Sequence, residues 1–447
     1  MDKNQVLAFL EQHNIDKIKF AFTDIDGILR GKVIHKEKFV NGLQDGYGFC
    51  DVVFGWDSND AAYDNVQLTG WHTGYPDRPC YIDLSTQRQI PWQDNIPFFL
   101  ADFNGLAACP RSLLKRIDQQ CIGMGFHAEF AQEFEWFNFK ETPDTLAEKE
   151  FTKLQPMTPG MFGYSILRTS QKSEFYTALI DGLEKIGVSL EGFHTETGPG
   201  VYEGALLRDH VLKAADNAVL FKNGVKEIAA QQGIVASFMA KWNEKLPGCG
   251  GHVHQSLWNK EKSTNLFYDA KDANKMSDIF KHYLAGQLHC LPYIVPMYAP
   301  TINSYKRLVE GAWAPTNINW AHDNRTTALR VLSSSEKYTR LETRIPGSDS
   351  NPYLAMAAAL ASGLYGIKNK LALTIPPTTG NGYADDKHGK LPSNLYEATM
   401  QMKKSAVAKE LFGEEFVEHF TQTRLWEWRQ FAKHVTDWEL KRYFEII

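Results

Sequence analysis

The constraint that most limits this chain is Gln132-Glu133-Phe134-Glu135-Trp136-Phe137-Asn138-Phe139. The aromatic residues predict a strand, and on a strand residues i and i+2 share a face. Glu133 and Glu135 therefore point together from an otherwise hydrophobic element. Two such charges ~4 Å apart at an effective dielectric of ~20 repel by about 4 kcal/mol. A fold can keep them only by protonating one, wetting both or placing a cation between them. The same spacing recurs at His252 and His254 and at Glu342 and Arg344, so three pairs predict a polar, metal-bearing cleft built on strands.

A chain of 447 residues can bury a large core and suggests two domains. Hydrophobic content of 43% and charged content of 23% match a globular protein, and the net charge of −5 gives no electrostatic reason to expect nucleic acid or an anionic membrane. The N-terminus lacks the apolar run of a signal peptide, and the apolar stretch near 355–367 is too short to span a bilayer and reads as a buried helix. The six cysteines, Cys50, Cys80, Cys109, Cys121, Cys249 and Cys290, show no CxxC spacing and read as reduced thiols of a cytoplasmic protein.

The expected class is α+β. Residues 1–105 read as one helix followed by short strands, including Lys17–Thr23, Arg30–His35 and Gly46–Phe54. Pro110 is placed to open a helix to about Gly123. Beyond it, helical periodicity marks Ser173–Ile186, Ala205–Gln232, Ala273–Leu291, Tyr353–Lys370 and everything from Glu414 onward. Strands are expected at Phe126–Phe139, Val188–His194, Ile234–Trp242 and His252–Trp258. The Pro- and Gly-bearing segment 374–393 reads as a loop.

Further polar clusters lie at Glu196-Thr197-Gly198-Pro199-Gly200-Val201-Tyr202-Glu203, at the glycine-rich approach Gly248-Cys249-Gly250-Gly251-His252, at Asn303-Ser304-Tyr305-Lys306-Arg307 running on to Arg325 and Arg330, and at Glu336–Arg344. Each alone is usually a solvated sheet face, a loop or an exposed charge run. Together they serve one chemistry: carboxylates and an imidazole hold hard divalent cations, while arginines grip phosphates and carboxylates. That combination is metal-assisted phosphoryl transfer to an acid. A P-loop is excluded, because Gly27-Ile28-Leu29-Arg30-Gly31-Lys32 is one residue short and lacks the following hydroxyl.

From about Lys17 to the C-terminus these residues, in this order, resemble the glutamine synthetase family. The resemblance implies a small N-terminal β-grasp-like domain (1–105) and a large catalytic domain (106–447) with a strand-lined cleft flanked by helices. It implies two or more Mg²⁺ or Mn²⁺ ions per site, one held by Glu135, Glu196 and Glu203 and one by Glu133, His252 and Glu342. His254, Ser256, Lys337 and Arg340 match ATP-contacting positions, and Arg325 and Arg330 match the catalytic arginines that neutralise the transferring phosphoryl group. Gly248, Arg307 and Arg344 match the glutamate site. It also implies a homododecamer of two stacked six-membered rings, each site completed by a neighbour's small domain. The implied reaction joins the γ-carboxylate of glutamate to ammonia or an amine through an acyl phosphate.

Three departures stand out. In the Lys306-Arg307-Leu308-Val309-Glu310-Gly311 motif, Trp313 stands where the family has an acid two residues after the glycine. Gly48-Phe49 is followed by Cys50 where the family has an ammonium-binding Asp, with Asp51 one place along and so on the other face. Pro247-Gly248 replaces Asn-Gly beside the glutamate backbone. Without acids the pocket favours an alkyl amine over ammonium, with Trp313 in the substrate site. The alternatives are a glutamine synthetase that tolerates the altered site and a non-catalytic structural relative, which predicts lost metal ligands.

Overall fold

Alternation in β1 (Lys17–Thr23) buries Phe20 and Phe22 on one face, and they seed an aromatic core with Phe49, Phe54 and Phe103. Edge-to-face pairs at 4.8 Å hold this core. The computed structural model describes residues 2–447. β1 is flanked by β2 (Leu29–His35), antiparallel, and β5 (Ile96–Asp102), parallel. β4 (Asp77–Ile90) and β3 (Tyr47–Cys50) complete a five-stranded sheet ordered β2-β1-β5-β4-β3. The opening helix, Lys3–Gln12, is closed by a reciprocal capping box between Asp2 and Gln5. The strand expected over 46–54 stops at Cys50, and Asp51–Phe54 forms a 3₁₀ turn instead.

The second sheet has nine strands. Its main order is β12 (Trp320–His322), β13 (Leu329–Leu332), β14 (Arg340–Thr343), β11 (Val253–Asn259), β6 (Phe126–Phe139), β8 (Val201–Leu206) and β7 (Leu190–Thr195). Two short strands, β9 (Asp209–His210) and β10 (Val235–Ser237), pair with β6. β6 is the spine. Its inward residues Phe134 and Trp136 are fully buried and pack on Phe221 and Phe238.

Helices cover the apolar side. Pro352–Lys368 is buried along almost its whole length, as its alanine-rich sequence predicts, and opens on an Asn351 cap with Pro352 in the first turn. It packs on Asp278–Tyr298. A Cβ on Gly286 would meet the Ser362 carbonyl at 2.3 Å and one on Gly366 would meet the His282 carbonyl at 2.1 Å, so both positions need glycine. The helix expected over 273–291 lies at 278–298, set by the Ser277 cap, and runs through Pro292 and Pro296. The helix expected from Ala205 begins at Val211, because Val201–Leu206 is drafted into the sheet beside β6. The C-terminal helix ends at Phe431, and a Thr436 capping box starts a short one, Asp437–Tyr443. Segment 374–393 is anchored: Thr378 N–H donates to Trp320 O at 2.8 Å and Gly382 N–H to Thr326 Oγ1 at 2.8 Å.

A buried ion cluster ties the two sheets together. Arg111, 2% exposed, meets Asp83 (2.8 Å) and Asp102 (2.7 Å) from the small sheet and Asp216 (2.8 Å) from the helix Val211–Gln231. The Tyr353 hydroxyl donates to Asp216 at 2.6 Å. Five of the six cysteines are buried, Cys50 is half-buried, and none forms a disulfide. No helix among the described residues is long and apolar enough to cross a membrane.

His419, 3% exposed, lies on the C-terminal helix Glu414–Phe431. Burial, then the Arg424 charge, pushes its pKa down to about 4. The unfolded chain therefore takes up this proton first, near the ordinary value of about 6.5. Stability tied to His419 is complete above pH 6.5 and is lost as pH falls towards 4, by about 3 kcal/mol at ~1.4 kcal/mol per pKa unit. Denaturation between pH 7 and 4.5 should show His419→Leu losing less stability than the wild type; an equal loss overturns the assignment.

Candidate active site

The solvent face of β6 carries Glu133 and Glu135, and register fixes what they meet. Glu203 on β8 stands directly opposite Glu135, and His194 on β7 directly opposite Glu203. On the other side His252 accepts the Glu133 N–H through its carbonyl at 3.1 Å. His254 stands opposite Glu342 on β14, which stands opposite Arg330 on β13. Two polar rows thus cross the sheet, offset by the two residues that separate Glu133 from Glu135.

The first row is acidic. His194 Nε2 lies 3.3 Å from Glu203 Oε1 and its Nδ1 3.8 Å from Glu196 Oε2, so these three side chains converge within metal-ligand reach. Glu135 stands beside them and accepts the Gly250 N–H at 2.8 Å. Burial and then the facing Glu203 raise the Glu135 pKa to about 8. Glu203 is raised too, first by burial. Buried carboxylates whose proton affinity is raised by burial and neighbouring acids fit a divalent cation, which would remove that repulsion.

The second row is balanced. Glu133, His254 and Glu342 offer a second converging ligand set. His252 Nδ1 lies 2.6 Å from Glu133 Oε1 and 3.5 Å from Glu342 Oε1, while its Nε2 faces Arg307 Nη2 at 3.2 Å. A guanidinium only donates, so Nε2 accepts and the His252 proton sits on Nδ1, directed at Glu133. Arg340 Nε fixes His254 the same way at its Nδ1, at 3.2 Å, which turns His254 Nε2 towards Glu133 Oε2 at 3.4 Å. Burial opposes ionisation of Glu133, yet His254 and His252 outweigh it and hold its pKa well below the carboxylate range. Glu342, fully buried, is held low against burial by Arg344, with Arg330 Nη1 at 2.8 Å.

His252 therefore stands between Glu133, Glu342 and Arg307, while His254 completes the second ligand set. His194 joins the first set, which sequence reasoning did not find. Its signal was present: it is two residues from Glu196 at the end of an expected strand, the same spacing that marked the other pairs.

His254, Ser256, Lys337 and Arg340 line one cavity of about 480 Å³ that reaches Glu133. Arg208 and Tyr338, both absent from the sequence reading, line it as well. Arg325 and Trp313 share another cavity, of about 560 Å³, walled by 377–380. Arg344 bridges these regions, donating to Arg325 O at 3.0 Å and Trp313 O at 3.4 Å and pairing with Glu342. Arg307 is 3% exposed and packs on Gly248, where a Cβ would meet the Ala240 carbonyl at 2.5 Å. Arg330 also meets Asp323 at 2.5 Å. Trp313 is 63% exposed on a positive-φ loop.

Residues 107–443 match the family model for the glutamine synthetase catalytic domain. The chain belongs to the glutamine synthetase family. Members of this family are ATP- and divalent-metal-dependent carbon–nitrogen ligases, and this chain is one of them. It is similar to type-1 glutamine synthetase 2 of Dictyostelium discoideum, 54% identical over 98% of this chain and 86% of that protein. It is also similar to glutamate–isopropylamine ligase of a Pseudomonas species, 38% identical over 100% and 99% of the two chains. The γ-glutamylethanolamide synthetase GlnA4 of Streptomyces coelicolor is 36% identical over 98% and 94%. Among solved structures, a GmaS–ADP complex superposes with a TM-score of 0.84, 25% identity and 98% coverage of each chain. The α+β class expected from sequence agrees with that glutamine synthetase fold.

Saturating Mg²⁺ should raise the thermal midpoint of the wild type, a stabilisation of about 2.7 kcal/mol at a hundredfold excess over Kd. Glu203→Ala should lose most of that shift while folding normally without metal. An undiminished shift would place the cation elsewhere.

Proposed function

We propose that this chain is a glutamate–amine ligase that forms a γ-glutamyl amide, ADP and phosphate. The observation that carries the reading is the state of Asp51, the acid next in sequence to the family's ammonium-binding position. Asp51 is 1% exposed, accepts from Arg78 Nε at 2.8 Å and from Thr69 Oγ1 at 2.5 Å, and so is already neutralised. Cys50, in the family's Asp position, donates weakly to Tyr75 O at 3.4 Å. With Trp313 in place of the second acid and Asp51 paired with Arg78, neither of these two positions offers a free carboxylate for a small hydrated cation, whereas an aromatic surface suits an amine with an organic substituent. Relatives named for isopropylamine and ethanolamide products support this. The 54% identical type-1 glutamine synthetase favours a second reading, with ammonia as nucleophile.

In the proposed mechanism Arg307, Arg344 and Gly248 bind the acid substrate, glutamate. ATP lies in the cavity of His254, Ser256, Lys337 and Arg340. A glutamate γ-carboxylate oxygen attacks the γ-phosphorus of ATP and ADP leaves, with Arg325 and Arg330 neutralising the phosphoryl oxygens. The amine nitrogen then attacks the acyl carbon, phosphate departs with the bond electrons, and the nitrogen releases a proton. Glu135, Glu196 and Glu203, with His194, would hold one Mg²⁺ or Mn²⁺, and Glu133, His252 or His254 and Glu342 another. These ions supply charge neutralisation between two anionic substrates.

The reading includes a small domain (1–105) and a catalytic domain (106–447), supported by an apolar cluster drawn only from residues 6–109, while Ala21, Ile25, Phe98 and Leu100 pack into the large cluster from the small sheet's other face. It also includes the family's dodecamer, with a neighbour's small sheet facing each cleft. Trp71, 81% exposed and edge-on to Tyr75, supports covering of that end by another copy. A cytoplasmic location is supported by the free thiols.

Phosphate release with glutamate and Mg²⁺ should favour one alkylamine, diamine or aromatic amine over ammonium by a hundredfold in kcat/KM, ~2.7 kcal/mol. Ammonium as good as any amine would make this a glutamine synthetase. Trp313→Glu should raise kcat/KM for ammonium by about tenfold, ~1.4 kcal/mol, and no gain would count against the role of Trp313. Glu135→Ala should abolish phosphate release with every amine.

A further inference from the structure

Four polar side chains lie inside the core behind the catalytic sheet, and the proposed reaction uses none of them. Gln255 on β11, Thr343 on β14, and Tyr283 and Gln287 on the helix Asp278–Tyr298 are each 1% exposed or less. Gln255 stands between His254 and Ser256, and Thr343 between Glu342 and Arg344. Alternation therefore turns Gln255 and Thr343 away from the cleft. The face they share is otherwise apolar, with Val253, Leu257 and Leu341 fully buried on it.

These side chains close a ring of hydrogen bonds whose direction one backbone group fixes. The Ala359 carbonyl, on the helix Pro352–Lys368, can only accept, so the Gln287 atom 2.9 Å from it is Nε2. The same Nε2 donates to Gln255 Oε1 at 2.6 Å. Gln255 Nε2 then donates to Thr343 Oγ1 at 2.8 Å, and the Thr343 hydroxyl donates to Gln287 Oε1 at 3.0 Å. The Tyr283 hydroxyl adds a bond to Gln255 Oε1 at 2.7 Å. The Tyr283 ring is seated against Gly363, where a Cβ would meet its Cε2 at 2.1 Å.

A buried hydrogen-bonded pair and an apolar pair of the same shape differ little in stability. What a satisfied polar network adds is direction, because hydrogen bonds fix distance and angle where apolar contact slides. Direction matters here, since β11 and β14 pair over only three positions, Val253–Thr343, His254–Glu342 and Gln255–Leu341. The middle pair supplies two members of the second ligand set, whose ligand atoms lie within 4.8 Å of Glu133 and of each other. Resting on the ligand set proposed above, we propose that Gln255, Gln287 and Thr343 are positioning residues for it. They tie both strands to one helix, so that His254 and Glu342 keep the spacing a cation needs.

Mn²⁺ binding to the full-length protein, read from the free-ion EPR signal, tests this in a Glu203→Ala background, which removes the acidic ligand set. Thr343→Val, the same shape without the hydroxyl, should weaken the remaining site about tenfold, and Thr343→Ser should restore it. In a His254→Ala background, which leaves the acidic set, Thr343→Val should not change Mn²⁺ affinity. The triple variant Gln255→Met, Gln287→Met, Thr343→Val should keep the metal-free thermal midpoint of the wild type while losing the same affinity, a split that a purely structural role does not give. Undiminished affinity in Thr343→Val, equal loss at both ligand sets, or a triple variant that loses midpoint and affinity together overturns the positioning role. No Mn²⁺ bound by Glu203→Ala with Thr343 intact would discard the ligand set itself, and the ring is then judged without metal. Amides of 253–259 and 340–343 should exchange faster in Thr343→Val than in the wild type, and unchanged exchange overturns the hold of the ring on these strands.

Discussion

Everything in the cleft follows from one requirement on β6: a strand must bury Phe134 and Trp136 on one face while holding Glu133 and Glu135 on the other. The apolar face pins register, since a slip of one residue would drive both carboxylates into the aromatic core. With register fixed, the antiparallel partners must manage the charge. On the β11 side two histidines hold Glu133 ionised, and Arg344, with Arg330 beside it, does the same for Glu342. On the β8 side Glu203 faces Glu135, and burial together with neighbouring acids raises both pKa values despite His194 and Arg307.

The same sheet needs a rigid support behind it. Gly286 and Gly366 let two buried helices approach at backbone distance, and the Arg111 cluster clamps the small sheet to that layer. Removing one partner from such a cluster strands buried charge and costs about 3–5 kcal/mol. That clamp sets where the small sheet, with Cys50 and Asp51, lies relative to its own large sheet.

The sequence departs from the family pattern at Cys50 and Trp313, the positions on which the proposed amine specificity rests. Asp51 is near the family's ammonium position in sequence, yet its carboxylate turns inward to Arg78 and Thr69. Asp51 turns inward because the chain leaves the strand at Cys50 for a 3₁₀ turn. Trp313 remains exposed at a loop tip, a position where an aromatic ring contributes little to stability.

The sequence by itself determined the elements whose pattern is local. The β6 carboxylate pair, the helix opened by Pro110, the Asn351-Pro352 start and the buried alanine-rich helix were all legible from period and caps. Candidate site residues were legible only through several motifs taken together, and His194, which converges with Glu196 and Glu203, was not among them. Tertiary structure alone decided the pairings. Val201–Leu206 reads as the approach to a helix, but β6 recruits it as a strand, and that register is what sets Glu203 against Glu135 and His194. Strands β12 and β13 are three and four residues long, too short to show a period, and exist because β14 pairs with β13 and β13 in turn with β12. Which histidine completes the Glu133–Glu342 set depended on Arg307 and Arg340, which hold the rings from positions 55 and 86 residues away in the chain. Local pattern fixes which face a side chain takes; only cross-strand register and long-range donors fix what it meets there.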